Sequence, residues 1–308
     1  MKLLSRDEFE RAADYVRHEA RPLERAIFDY AFEGGGRTAV LAALVPYQND
    51  DGGFGRALEP DMRAPASSVV ATTVALGILR RVGATEETSG LPAALVYLMD
   101  NYDAETGRWP IISPGVEDAP HAPWWEYAES ATNFRDFWAN PRAAVVGYLW
   151  QYRKLVPSPF VEGALRSAAT DLLTYSQTME MHDLLCYVDL LETEELPDEM
   201  RQNMIDKLRR VVARSVVMDP AQWDDYNLKP LTVIRSPQSE LAAAVDPAVL
   251  DANLDHLIDT RGPDGTWGPN WSWEFIDAGA WAAAEREWRG VLTLRNLELL
   301  AAFGRVGQ

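Results

Sequence analysis

The sequence has a single cysteine, Cys186, and only four lysines, Lys2, Lys154, Lys207 and Lys229, among 29 basic residues. One cysteine excludes an internal disulfide and a multi-cysteine zinc ribbon. The scarcity of lysine reads as a coding bias toward arginine and carries no functional weight. Positive charge is short overall: 29 Lys+Arg stand against 47 Asp+Glu, a formal net charge of −18. That balance argues against a nucleic-acid binder, which shows a basic patch, and against steady attachment to anionic lipid. No apolar run approaches the ~20 residues a membrane span requires. Met1-Lys2-Leu3-Leu4 leads straight into a charged amphipathic segment, so no signal peptide is read there. The expectation is a soluble cytoplasmic protein with no stable membrane insertion. Also missing is any clean alternation of apolar and polar residues of the kind a half-buried strand shows.

What is present is helical. Segments rich in Ala, Leu, Arg and Glu carry apolar residues at three- and four-residue spacing throughout. Ser5-Arg6-Asp7-Glu8 reads as a capping box that opens the first helix. Pairing successive helices predicts six hairpins. Their first members span about 6–18, 36–48, 89–101, 158–177, 197–217 and 247–260. Their second members span about 21–33, 67–83, 140–154, 181–192, part of 231–245, and 286–302. Second members such as 67–83 are apolar nearly all round, which suits an inner ring; first members are more amphipathic. The fold expected is all-α, an (α/α)6 toroid of six helical hairpins in one domain, 1–308.

Three turns repeat one pattern. Leu44 is followed by Asp51-Gly52-Gly53-Phe54-Gly55, Leu98 by Thr106-Gly107-Arg108-Trp109-Pro110, and Leu257 by Asp264-Gly265-Thr266-Trp267-Gly268. In each, a helix runs into a glycine turn with an aromatic two residues beyond. The glycine supplies the positive φ of a helix stop. The aromatic can fold back and pin the end of the helix it leaves. The glycines are separated by about 55 and about 158 residues, close to one and three periods of a hairpin unit.

The stretch Gln48-Asn49-Asp50-Asp51-Gly52-Gly53-Phe54-Gly55 resembles the QW-type repeat of the terpenoid cyclase and protein prenyltransferase superfamily. Asp264-Gly265-Thr266-Trp267-Gly268 is similar to a second copy without the glutamine. The resemblance implies an α/α toroid and a cavity for an apolar small molecule, with isoprenoid cyclisation or transfer as the activity. The acid motif Asp-x-Asp-Asp of the cyclases and the aspartate-rich DDxxD motif are both absent; Asp224-Asp225-Tyr226-Asn227-Leu228 lacks the closing acid. The prenyltransferase zinc set places Asp two residues before Cys, whereas here Asp183 lies three before Cys186, beside His182.

The long connections, about 49–66, 102–139, 218–230 and 261–283, all join first to second members and so fall at the end where the inner helices begin. Helix N-termini there favour an anionic group. Ten of the 11 tryptophans fall in two clusters at or beside that end: Trp109, Trp124, Trp125, Trp138 and Trp150, and Trp267, Trp271, Trp273, Trp281 and Trp288. Aromatic walls stabilise carbocations or stack on sugars; Trp109 and Trp267 read better as turn pins. Glu59 and Asp61, with Arg63, form a candidate acid/base or metal group, balanced by the reading of a solvated loop. Glu287 is a further candidate acid, with Arg289 beside it; helix-dipole complement is the alternative. Ligand contacts are expected from His121, Trp124, Trp125, Glu126, Tyr187, Trp273 and Trp288. His182, Asp183 and Cys186 form a candidate zinc group, with a buried core cysteine as the competing account. The cofactor is left open between zinc, magnesium and none. Two other functions are consistent with the same residues: a carbohydrate-active toroid with paired carboxylates, and a non-catalytic ligand binder.

Overall fold

The computed structural model describes residues 1–176 and 178–307. Among them every regular element is helical, and extended pairing is limited to isolated bridges. The helices are α1 (Arg6–Glu19), α2 (Pro22–Phe28), α3 (Arg37–Leu44), α4 (Val69–Arg81), α5 (Leu91–Asp100), α6 (Ser130–Asn133), α7 (Arg142–Gln151), α8 (Ser158–Thr174), α9 (Met181–Leu191), α10 (Asp198–Ser215), α11 (Pro230–Val233), α12 (Pro247–Asp259) and α13 (Ala278–Ala302). None is long and apolar enough to cross a membrane.

Most predicted helices match these within a few residues, and the differences have local causes. The capping box forms: Ser5 Oγ accepts from Glu8 N–H while Glu8 returns a bond to Ser5 N–H. The last helix begins at Ala278 instead of near 286, because Asp277 caps it by accepting from Ala280 N–H at 2.9 Å. Glu287 and Arg289 therefore lie inside α13, away from its N-terminal turn and so from the helix-dipole complement considered for Glu287. The fifth second member shrinks to the single turn α11, since proline stands at 230 and again at 237. The short α6 within 102–139 was not expected.

Contacts group the chain into two compact units, Leu44–Lys207 and the two ends, Met1–Ala43 with the chain from Leu208 onward. In the Leu44–Lys207 unit α7 is the hub. It packs on α4, α8 and α9, and it is buried without interruption from Arg142 to Leu149. A helix apolar on every side has no solvated face to offer, so it takes the centre. In the unit of the chain ends α13 packs on α1 and α2, and α11 on α12. The two ends meet there: Leu4 pairs with Val306, and the buried Arg305 guanidinium reaches Asp251 Oδ1 (2.7 Å) and Asp255 Oδ1 (2.6 Å).

The three repeated turns share one glycine conformation, and the first and third are alike in further detail. Gly52, Gly107 and Gly265 all take positive φ, at 88°, 69° and 84°. Asp51 accepts from Gly53 N–H at 2.9 Å, and Asp264 accepts from Thr266 N–H at 3.1 Å. The aromatic's own N–H is held by a threonine of a later helix, Phe54 by Thr72 (3.0 Å) and Trp267 by Thr293 (3.2 Å). The pins also form. The Trp109 indole donates to Leu98 O at 2.6 Å at the end of α5, and the Trp267 indole to Leu257 O at 2.8 Å at the end of α12. Phe54 has no indole donor; there Gln48 bridges Gly52 O (2.9 Å) and Gly90 O (2.8 Å), tying the turn to the start of α5. A Cβ on Gly52 would sit 2.4 Å from Ala93 O, so glycine is required by space as well as by φ.

Candidate functional site

Within the Leu44–Lys207 unit the structure brings together two stretches that the sequence separates by some sixty positions. Met62 and His121 pair as an antiparallel bridge. Asp61 O accepts from Ala122 N–H at 2.9 Å, and Arg63 N–H donates to Pro120 O at 3.2 Å. Glu59 and Asp61 are both buried. The Arg63 guanidinium donates back to Pro60 O at 3.2 Å. The long loop is anchored below by a small core of Met62, Ile111, Ile112 and Val116, on which Trp125, Phe134 and Phe137 pack. Trp125 thus serves the loop's packing, while Trp124 is exposed.

Above that core His121 meets Glu117 and Glu126. The three side chains each place a donor atom within 4.8 Å of the others, the one such group of three His, Cys, Asp or Glu side chains among the described residues. His121 Nδ1 lies 2.9 Å from Ala119 O. A carbonyl only accepts, so Nδ1 carries the proton and Nε2 faces the carboxylates.

The residues named for zinc from the sequence are engaged elsewhere. Asp183 is fully buried and accepts from three successive backbone N–H groups, Trp138 (3.2 Å), Ala139 (2.9 Å) and Asn140 (2.7 Å), fixing the entry to α7. Burial raises its carboxyl above the usual range against the pull of those donors. His182 Nδ1 pairs with Glu180 Oε1 at 2.8 Å, and Glu180 caps α9. The Cys186 thiol leans on Asn140 Oδ1 at 3.6 Å, and burial pushes it well above its ordinary value. Tyr187 is likewise interior: its hydroxyl donates to Ala168 O at 3.0 Å.

Open space in this unit lies along a different line. A groove of about 860 Å3 is lined by Arg108, Arg135, Trp138, Tyr175 and the acids Asp136, Asp171 and Glu180. A cavity of about 300 Å3 is lined by Trp109, Ile111, Ile112, Phe134, Phe137 and Trp138, and again by Arg108. A third space of about 420 Å3 shares Arg108 and Trp109. Trp138 stacks on Tyr175 at 4.7 Å between centroids, and its buried indole N–H has no partner among the described residues. Among those residues neither the Arg108 nor the Arg135 guanidinium has an ion-pair partner, whereas Arg142 pairs with Asp171 and donates to Ser167 Oγ at 2.7 Å. Of these lining residues, sequence reasoning had noticed Trp138 and Trp109 but neither arginine. Arg108 stands inside the repeated turn, next to Gly107, and that position was its available signal.

In the unit of the chain ends the predicted residues are packed among themselves. Trp273 is fully buried and meets Trp281 edge to face at 5.7 Å, and Trp271 meets Trp288 likewise at 5.2 Å. Glu287 lies 3.9 Å from Arg21, and Arg289 reaches Thr266 Oγ1 (3.2 Å), Glu285 (3.3 Å) and Asp264 (3.4 Å). Arg289 thereby supports the third repeat turn. Trp150 sits at the far end of α7, where its indole donates to Glu195 O at 3.0 Å, away from the other tryptophans of its cluster. No family model, no curated protein and no solved structure matches the chain.

Proposed function

We propose that the chain is a terpenoid-cyclase- and prenyltransferase-like (α/α)6 toroid that binds an amphipathic anion of isoprenoid type. The observation that carries this reading is the shared wall of two spaces. An aromatic and aliphatic cavity and an arginine-bearing groove have Arg108 and Trp138 in common. An apolar chain would lie against Phe134, Phe137, Trp109 and Trp138, and its anionic head would meet Arg108 and Arg135. Burying roughly 200 Å2 of such a chain gains about 5 kcal/mol. Each charge-assisted hydrogen bond to arginine adds about 1.5–3 kcal/mol. Two such bonds bring the gross gain to about 8–11 kcal/mol, and an association cost of about 4 kcal/mol or more leaves about 7 kcal/mol at best, a dissociation constant of about 10 μM or weaker. Against the net charge of −18, Arg108 and Arg135 supply positive charge at the groove, where Asp171 is paired with Arg142 and Glu180 with His182 and Asp136 is the acid left beside them. The toroid is supported by the recurrence of one turn, with its positive-φ glycine and aromatic, at intervals of one and three units, the first and third copies sharing a threonine as well. It is supported too by the pairing of the chain's ends.

Cyclisation or transfer would need an acid or a metal in addition. Glu59 and Asp61 remain the residues proposed for that role on account of their burial, and Glu287, paired with Arg21, is the second choice. The carbohydrate reading keeps one observation in its favour, the acids Asp136, Asp171 and Glu180 beside Trp138 and Tyr175 in the open groove.

Calorimetric titration with farnesyl diphosphate, farnesol, inorganic diphosphate and maltohexaose separates these readings. The expected order is farnesyl diphosphate tightest, with farnesol and diphosphate each at least about tenfold weaker, since each keeps half of the contacts. Binding of maltohexaose alone would replace the isoprenoid reading with the carbohydrate one.

A further inference from the structure

We infer that Glu117, His121 and Glu126 form a binding site for a divalent first-row metal ion of the zinc type. The argument starts from the imidazole. Its Nδ1 donates to Ala119 O at 2.9 Å, which leaves Nε2 as a bare lone pair in the neutral ring. That side chain is nine-tenths buried, at 10% exposure, and its Nε2 points at Glu126 Oε2 (3.4 Å) and Glu117 Oε2 (3.9 Å). Three electron-rich atoms converging without a hydrogen bond among them repel one another. A cation between them, either a proton on Nε2 or a metal ion, would relieve that repulsion.

The distances choose between the two. A charge-assisted N–H···O bond from imidazolium closes to about 2.7–2.9 Å; the shorter contact here is 3.4 Å and Nε2 makes no hydrogen bond among the described residues. Two donors that each stand about 2.0–2.2 Å from a tetrahedral ion are themselves roughly 3.4 Å apart. The Nε2–Glu126 Oε2 separation is that of two ligands across an ion, and Glu117 Oε2, at 3.9 Å, would close by about half an ångström to join them. The surroundings are arranged likewise. Glu117 commits its other oxygen, Oε1, to Tyr127 N–H at 2.6 Å, which aims Oε2 at His121. Glu126 closes the turn Pro123–Trp125, donating its own N–H to Pro123 O at 3.3 Å. The Nδ1–H···O=C bond is the support that metal-bound histidines use to fix their tautomer. One imidazole and two carboxylates suit zinc or a neighbouring transition ion better than magnesium, which prefers oxygen and retained water. Three protein ligands leave a position open for water or a ligand oxygen.

The test is calorimetric titration of the full chain with Zn2+ alone, repeated with Mg2+. The expected result is one zinc per chain, no measurable Mg2+ binding under the same conditions, and an affinity about tenfold or more weaker in Glu126→Gln and in Glu117→Gln. Both carboxylates are accessible, so these variants keep the fold, and circular dichroism checks it. Cys186→Ser is expected to bind zinc as the natural chain does. Absence of a stoichiometric zinc site overturns the inference. So does a site that survives both Glu→Gln changes, or one that Cys186→Ser abolishes.

Discussion

The two tryptophan-rich stretches differ in what surrounds them. Around 267–288 the rings meet one another edge to face, and Asp264, Glu285, Glu287 and Arg289 are held in ion pairs within the unit of the chain ends. Around 109–138 two of the rings line open space with two arginines that lack ion-pair partners among the described residues. The composition is similar and the roles diverge. An aromatic cluster whose charges are mutually satisfied is core, and one whose charges point into a groove is a candidate ligand wall. Each cluster also holds buried indole N–H groups without a partner among the described residues, Trp125 and Trp138 in one and Trp288 in the other, so that feature by itself does not separate them.

The largest effect is expected in the satisfied cluster. Trp273→Ala removes a fully buried ring packed on Trp281 and should destabilise the protein by about 3–5 kcal/mol in denaturant melts, with ligand affinity unchanged in the fraction that stays folded. A cost below about 1 kcal/mol would show that this cluster is not core.

Acid sharpens the contrast between the units next. In the unit of the chain ends, hydrogen bonds from Arg261 and Ser5 hold the Glu8 carboxyl down at about 2. A depressed carboxyl contributes stability that is complete above its unfolded value of 4.5 and is lost as pH falls toward about 2. Glu8→Gln should therefore flatten the pH dependence of stability across that window. In the other unit Asp183 is shifted the opposite way by burial, so protonating it relieves a desolvation cost and adds no such loss. An unchanged acid limb in Glu8→Gln would contradict the assignment.

The two turn pins should behave as equals despite lying in different units. Trp109→Phe and Trp267→Phe each strip a donor from the carbonyl that ends a helix, Leu98 O or Leu257 O, and each should cost about 1–2 kcal/mol by thermal or urea unfolding. A large cost in one and none in the other would break the equivalence of the repeats. Smallest for stability is Arg108→Ala. An exposed guanidinium without an ion-pair partner should change it by no more than about 0.5 kcal/mol, while farnesyl diphosphate affinity falls about tenfold.

Much of the fold was legible because it is written in local signals. The capping box at Ser5 and Glu8, the glycines at 52, 107 and 265, and the indoles that return to Leu98 and Leu257 are short-range devices. Each uses a residue type that few others can replace. The start of α13 was missed because its signal is one aspartate, Asp277, at the end of a loop crowded with glycine, proline and tryptophan. The pairing of Glu59–Arg63 with His121–Glu126 was only half legible: both stretches stood out as unusual, but nothing in either names the other. The groove was not legible at all. Its walls come from 108–112, 130–142, 171–176 and 178–180, and a cavity is what packing leaves unfilled rather than what a pattern encodes. Glu117 was invisible for a related reason, since a lone exposed glutamate acquires meaning only beside a buried imidazole.

The claim that one tryptophan cluster lines a ligand site and the other does not is tested most directly by fluorescence. Farnesyl diphosphate is titrated into the natural chain, Trp138→Phe and Trp271→Phe. The account predicts a saturable change in tryptophan emission that is largely lost in Trp138→Phe and retained in Trp271→Phe. A change that survives Trp138→Phe and vanishes in Trp271→Phe would place the ligand against the other cluster and contradict it.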